Sequence, residues 1–258
     1  MNQVRHIGAR DNPLLLRLRK LAADPGAYRR LGAVCIEGEH LCSAFAGRGG
    51  VPGQALITQT GWATAALQGL ARRATQVSVI PDALMAGIST LESPSPIAFV
   101  LDWTGSAPLQ TAAPSVVLDR LQDAGNVGTV LRSACAFGFT QVIALKGTAA
   151  LWSPKVLRAG MGAHFGLNLV EGAAEADLAA LALPLLATSS HAAQAIHQAA
   201  LPWPCAWVLG HEGQGVSPEL LARCLHSLRI PQPGGEESLN VAAAAAVCLY
   251  ESARQRLR

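Results

Sequence analysis

Residues 115–119 (SVVLD), 141–145 (QVIAL), 183–188 (LPLLAT) and 205–210 (CAWVLG) are apolar almost without interruption, and 165–170 (FGLNLV) is a further candidate. A strand with one wet face alternates polar and apolar residues, whereas a strand composed like these is covered on both faces. Segments of helical pattern separate most of the runs. That order builds an α/β fold in which a mostly parallel sheet lies between helical layers. With 50% hydrophobic and only 14% charged residues, the chain has the apolar content such a sheet requires.

The first hundred residues carry a smaller α/β pattern of their own. Residues 11–23 open on Asp, Asn and Pro and continue at helical spacing, as a helix start does. A buried strand follows at 33–37, passing through Glu37 and Gly38 into a helix. Strand-like runs recur at 54–58, 76–80 and 97–101, with a helical stretch at 62–73. Residues 105–114 (GSAPLQTAAP) have no period and read as a linker. The predicted division is therefore 1–104, a linker 105–114, and 115–258.

Net charge is only +3, but basic residues concentrate near the start: Arg5, Arg10, Arg17, Arg19, Lys20, Arg29 and Arg30 against Asp11 and Asp24 within the first thirty. Two readings stand, a phosphate-attracting patch and an ordinary solvated face. The six cysteines are scattered without a C-x-x-C pair, so neither a disulfide scaffold nor a zinc site is expected, and no metal. A reducing, cytoplasmic compartment is the expectation. The N-terminus lacks the apolar core of a signal peptide, and no run reaches the ~18 apolar residues of a membrane span.

Three segments carry polar chemistry at strand ends. In 118–132 (LDRLQDAGNVGTVLR), Asn126 sits at an N-cap position before an apolar helical stripe, and Arg132 lies off that stripe. Gly138 supplies the helix stop. In 207–217 (WVLGHEGQGVS), Gly210, Gly213 and Gly215 surround Glu212, permitting close backbone approach to a ligand. Ser217 and Pro218 then have the chemistry of a helix start. His211-Glu212 lacks the second His of a zinc helix, and the glycines are not spaced as in a dinucleotide fingerprint. Glu212 alone reads equally well as a structural carboxylate. In 230–241 (IPQPGGEESLNV), Ser238 or Asn240 can cap the alanine-rich helix that follows.

In order and spacing these segments resemble the three motifs of the TrmH/SpoU branch of the SPOUT methyltransferases, which methylate ribose 2′-hydroxyls of RNA. The resemblance implies a C-terminal α/β knot, a deep trefoil, with a smaller N-terminal α/β domain of ribosomal-protein-L30e-like fold. It implies S-adenosyl-L-methionine as cofactor, held largely by backbone at Gly210, Ile230 and Leu239, with Leu209 and Thr188 as weaker positions. Arg132, Asn126, Glu212, Ser238 and Asn240 become the catalytic set. Arg132 is either a transiently neutral base or a cation that clamps phosphate and steadies developing alkoxide. Arg10, Arg17, Arg29, Arg30 and Arg158 are weak RNA contacts; Arg158 lies with Lys155 in 153–164, where plain surface charge explains both equally well. The implied assembly is a homodimer whose pockets take residues from both knots, without membrane or metal partners. The expected substrate is 23S ribosomal RNA. Methylation of tRNA, or RNA binding without catalysis, are the alternatives.

Overall fold

The computed structural model describes residues 3–190, 192–235 and 239–257. Two compact units emerge, Met1–Gly105 with Trp152–Phe165, and Ser106–Leu151 with Gly166–Arg258.

In the first unit β1 (Gln3–His6), β2 (Ala33–Glu37), β3 (Gln54–Thr58), β4 (Gln76–Ile80) and β5 (Ile97–Asp102) form a mixed sheet in the order β1-β4-β3-β5-β2. β1, β4 and β3 are parallel, while β5 runs antiparallel to β3 and β2. Strand β1 carries too few apolar residues to be read from sequence; it forms because β4 offers its edge. Helix α1 (Pro13–Ala23) starts as its sequence dictates. The Asn12 side chain accepts from Leu14 N at 3.0 Å, Pro13 occupies the first turn, and Leu15, Leu18 and Leu21 are buried. The Glu37-Gly38 step leads into α3 (Glu39–Gly47) with Gly38 at φ 107°, a conformation side chains disfavour. Glu37 fixes the loop near residue 90. Its carboxylate accepts from Ser89 Oγ (2.6 Å), Ser95 N (3.0 Å) and Thr90 N (3.3 Å). The helix Pro154–Gly160 also belongs to this unit, capped by Ser153 and stopped by Met161 and Gly162 in left-handed backbone.

The second unit is a six-stranded sheet, parallel throughout: β6 (Ser115–Leu118), β7 (Gln141–Leu145), β8 (Asn168–Ala173), β9 (Leu185–Thr188), β10 (Ala206–Leu209) and β11 (His226–Leu228), in the order β11-β9-β10-β6-β7-β8. The mostly parallel α/β fold expected from the apolar runs is present. Strand β8 begins at Asn168 because residues 163–166 close a short 3-10 turn, and β9 begins after Pro184, which has no N–H for the ladder. Val117, Ile143, Ala187 and Val208 are fully buried on one face, against Leu220 of α9 (Pro218–Arg223). Helix α10 (Val241–Arg256) packs against α7 (Ala124–Ala136). The buried Trp207 indole donates to Ser252 Oγ of α10 at 2.9 Å, so the polar end of this side chain is satisfied.

The stretch after Gly105 does not hang free. Ala107 N donates to Leu169 O, the Ser106 hydroxyl accepts from Glu171 N, and Asn168 Nδ2 donates to Pro108 O. It thereby covers the edge strand β8, an exposed template for mispairing otherwise. The fully buried Gln141 side chain holds it there. Its Oε1 accepts from Gln110 N and Asn168 Nδ2, and its Nε2 donates to Gln110 O and Ser115 Oγ, all at 2.8–3.0 Å. Gln141→Leu strands these partners, so it should lower stability by about 2 kcal/mol in urea unfolding and speed hydrogen exchange at Gln110.

Candidate active site

Strands β6 and β10 lie side by side, Leu118 opposite Leu209. From this pair the chain builds outward in two directions, β7 and β8 on one side, β9 and β11 on the other. A crevice opens at the carboxyl ends of strands where the order reverses; the first two polar motifs start there, from β6 and β10, and the third leaves the carboxyl end of the edge strand β11.

Asp119 N continues the β6–β10 pairing with a 2.8 Å bond to Leu209 O. The Asp119 side chain, 2% exposed, accepts from Ser217 N (2.8 Å) and from Arg120 Nε (2.8 Å). Arg120 adopts φ 60° and reaches Gln214 Oε1 with Nη1 at 3.3 Å. Asp119 and Arg120 thus tie the first motif to the second. Neither was apparent from sequence; a charged pair directly at the end of a buried strand was the available signal.

Glu212 is the hub. Its carboxylate accepts from Asp123 N (3.1 Å), Gln122 N (3.2 Å) and Asn126 Nδ2 (3.3 Å). Partial desolvation opposes its charge, but the backbone N–H groups of Glu212, Asp123 and Gln122 and the Asn126 amide outweigh this and hold its pKa below the ordinary 4.5. Asn126 Oδ1 accepts from Asn240 Nδ2 at 2.9 Å, and Asn240 Oδ1 caps α10 through Ala242 N and Ala243 N. The second, first and third motifs are linked in that sequence by side-chain hydrogen bonds. Asn126 does not cap α7, contrary to its position in the pattern. Asp123 does, accepting from Asn126 N at 2.7 Å, and this leaves the Asn126 amide free to bridge. Ser238 lies outside the described residues.

Gly210 explains the glycines of the second motif. A Cβ there would overlap the backbone of Gly215 and Val216, because residues 211–215 fold back as a tight turn, with Gly215 N donating to His211 O at 2.8 Å. His211 Nδ1 accepts from Gly213 N, which ties this ring to its own loop.

Beside the network lies a cavity of about 700 Å³, lined by Thr188, Gly210, Glu212, Ile230, Leu239 and Asn240, with Gln232 among its other walls. Leu209 does not line it; its side chain is buried and its carbonyl serves Asp119. Arg132 does not line it either. It is exposed on α7, and no hydrogen bond or ion pair engages it among the described residues. The arginines proposed for RNA scatter over the first unit. Arg17 is committed to Leu31 O (2.6 Å), Arg30 pairs with Asp24 (2.6 Å), Arg29 stacks over Tyr28, and Arg158 donates to Thr90 O. Arg10 is exposed.

Residues 113–250 match the sequence model of the SpoU rRNA methylase family. The chain belongs to this family. Among relatives, an uncharacterised tRNA/rRNA methyltransferase of Synechocystis is 31% identical, covering 99% of this chain and 96% of its own. The 23S rRNA (guanosine(2553)-2′-O)-methyltransferase RlmP of Bacillus subtilis is 29% identical over 83% of this chain and 86% of its own. In fold, the chain superposes on the AdoMet-bound rRNA methyltransferase of Sinorhizobium meliloti with a TM-score of 0.85, at 24% identity and 100% coverage of both. As a SpoU-family member the chain matches in the region that contains the whole Glu212–Asn126–Asn240 network.

Because Glu212 has a lowered pKa, its contribution is complete above the ordinary carboxylate value and is lost as pH falls through the lowered one. In an NMR titration the Gln122 and Asp123 amide shifts should move together with a midpoint below 4.5, and stay flat in Glu212→Gln. A midpoint above 4.5 would contradict the assignment.

Proposed function

We infer that the protein transfers a methyl group from S-adenosyl-L-methionine to a ribose 2′-hydroxyl of RNA, with 23S ribosomal RNA as substrate. The observation that carries this reading is the hydrogen-bonded joining of the three family motifs beside one cavity whose walls come from the second and third.

The cavity suits the cofactor. Its volume falls within the ~300–1,000 Å³ of small-molecule sites. Its walls present glycine backbone at Gly210, Gly213 and Gly215, and the Gln232 Oε1 is buried without a donor among the described residues. Gly210, Ile230 and Leu239 hold the donor through main-chain groups, with Thr188 at one end. Adenosylmethionine, when bound, supplies an activated methyl whose departure leaves a neutral thioether. The protein's task is then alignment and management of the hydroxyl proton. Glu212 and Asn126 do not touch the reacting atoms in this reading; they hold the loop and the start of α10 at fixed spacing.

Arg132 acts as a cation toward phosphate and developing alkoxide, from a second copy of the chain. Two observations support the dimer. Arg132 is exposed and does not line the cavity of its own protomer, and α10 exposes Ala243, Val247 and Tyr250 on one stripe, with Leu239 exposed just before it. The trefoil threading of the C-terminal segment and the L30e-like character of the first unit belong to the same proposal. Six free cysteines accord with the cytoplasm.

Calorimetry with adenosylmethionine, followed by mapping of 2′-O-methyl marks on unmodified 23S RNA, tests the activity; no cofactor binding by the pure protein would defeat it. Arg132→Ala should retain cofactor affinity and lose roughly 10²–10³-fold in kcat. Mixing Arg132→Ala with Gly210→Val protomers should restore about a quarter of wild-type activity if the guanidinium crosses the interface, and none if it acts within its own subunit.

A further inference from the structure

The first unit contains a second cavity, of about 310 Å³, that the methyl-transfer site does not use. Phe45, Trp103, Trp152 and Phe165 wall it, and all four are half-buried, whereas rings that only fill a core are closed off from solvent. Phe45 and Phe165 hold each other edge-to-face at 5.2 Å, and Trp103 is braced in the same way by Tyr28. The walls are therefore stiff. Val51 at the rim is 70% exposed.

Two residues lining this cavity carry polar groups with no protein partner among the described residues. The Asp102 carboxylate, at the exposed end of β5, makes no hydrogen bond or ion pair among the described residues. The Trp103 indole N–H is buried with no acceptor there. A buried donor without a partner is rare enough to require a reason. Their chemistry is complementary: an ionised carboxylate only accepts, with two oxygens side by side, and an indole only donates.

We propose that this cavity binds one unstacked guanine base of single-stranded RNA. The proposal rests on RNA being the substrate, and concerns a docking contact, not the nucleotide that is methylated. Aromatic walls receive any base by stacking. The polar pair selects. Guanine alone among the four bases presents two adjacent donors, N1–H and N2–H, beside one acceptor, O6, on its pairing edge. Asp102 takes the two donors and Trp103 donates to O6. Uracil offers the carboxylate a single N–H flanked by two repelling carbonyls, and adenine and cytosine each offer it one amino group. The volume, at the lower end for small-molecule sites, admits a base and leaves its sugar and phosphate outside.

The test uses the full chain and labelled pentaribonucleotides, read by fluorescence anisotropy. UUGUU should bind roughly ten-fold or more tightly than UUAUU or UUUUU. Inosine in place of guanosine removes one donor and should forfeit several-fold of that. Asp102→Asn and Trp103→Phe should each erase most of the guanine preference, the ratio of UUGUU to UUUUU affinity falling toward one. Adenosylmethionine binding, measured by calorimetry in the same variants, should match wild type and so report an intact fold. Equal binding of all four oligonucleotides, or a preference that survives Asp102→Asn, overturns the pocket while leaving the RNA reading intact. Failure of every RNA to bind a protein that still binds adenosylmethionine overturns both.

Discussion

One carboxylate governs the geometry of the second unit. Glu212 sits in a turn that is itself too short to have a core, yet it gathers donors from residues 86 to 90 positions earlier in the chain. Being ionised, it accepts only, and every group that faces it donates. Two of those donors are backbone N–H groups at the start of α7, where the helix leaves such groups unpaired and where its dipole favours negative charge. The link passes onward because an amide has two ends. Asn126 gives its N–H₂ to Glu212 and keeps its oxygen for Asn240, which in turn spends its own oxygen on the first turn of α10. An aspartate at 126 would abolish the first bond by setting acceptor against acceptor and would place two negative charges together. An alanine would cut the chain of bonds in the middle. The order of donors and acceptors is thus fixed from Glu212 outward.

The cavity's shape follows from a second constraint, the contact of Gly210 with the backbone of Gly215 and Val216. The turn that carries Glu212 is folded onto the end of its own strand, and only the absence of a side chain at 210 permits it. Asp119 completes the clamp from β6 by accepting from Ser217 N just beyond the turn. Between them, a glycine that admits backbone and a buried carboxylate that holds it keep Glu212 within reach of α7.

What was legible in the sequence follows from the range of each interaction. The runs at 115–118, 141–145 and 206–209 announced strands because burial on both faces leaves them apolar apart from their first residues, Ser115 and Gln141. Asn12 and Ser217 announced helix starts because a cap acts within three residues. The capping of α7 was misassigned for a related reason. Asp123 and Asn126 are both competent caps, and which one serves depends on Glu212, a partner far away in the chain that recruits Asn126. Strand β1 was invisible because pairing with β4, not its own pattern, makes it a strand. Asp119 and Arg120 escaped notice since their partners come from the turn beyond β10, and no local spacing encodes that meeting. Gln141 read as the first residue of an apolar strand, while its role is to hold a stretch thirty residues earlier.

Helix α10 shows how a bland sequence can carry two interfaces. Its first half is almost all alanine and valine, with no polar stripe to face water. A helix apolar all round is one that is buried all round. Within the protomer only one side is: Ala242, Ala245, Cys248 and Leu249 are buried. Small side chains there let α7 approach closely, and the Asn126–Asn240 bond demands that approach. The opposite side, Ala243, Val247 and Tyr250, remains open, although Tyr250 packs edge-to-face on Phe137 of the α7 terminus at 5.7 Å. The same approach leaves Arg132, on α7, outside the cavity that its motif should serve. A second copy seated on the open stripe would answer both facts together, covering the apolar residues of α10 and carrying an arginine across. The hydrogen-bond chain that positions α10 against α7 would then also set the surface on which that copy rests. In this arrangement Asn240 does double duty, and its loss would be felt in assembly as well as in cofactor binding.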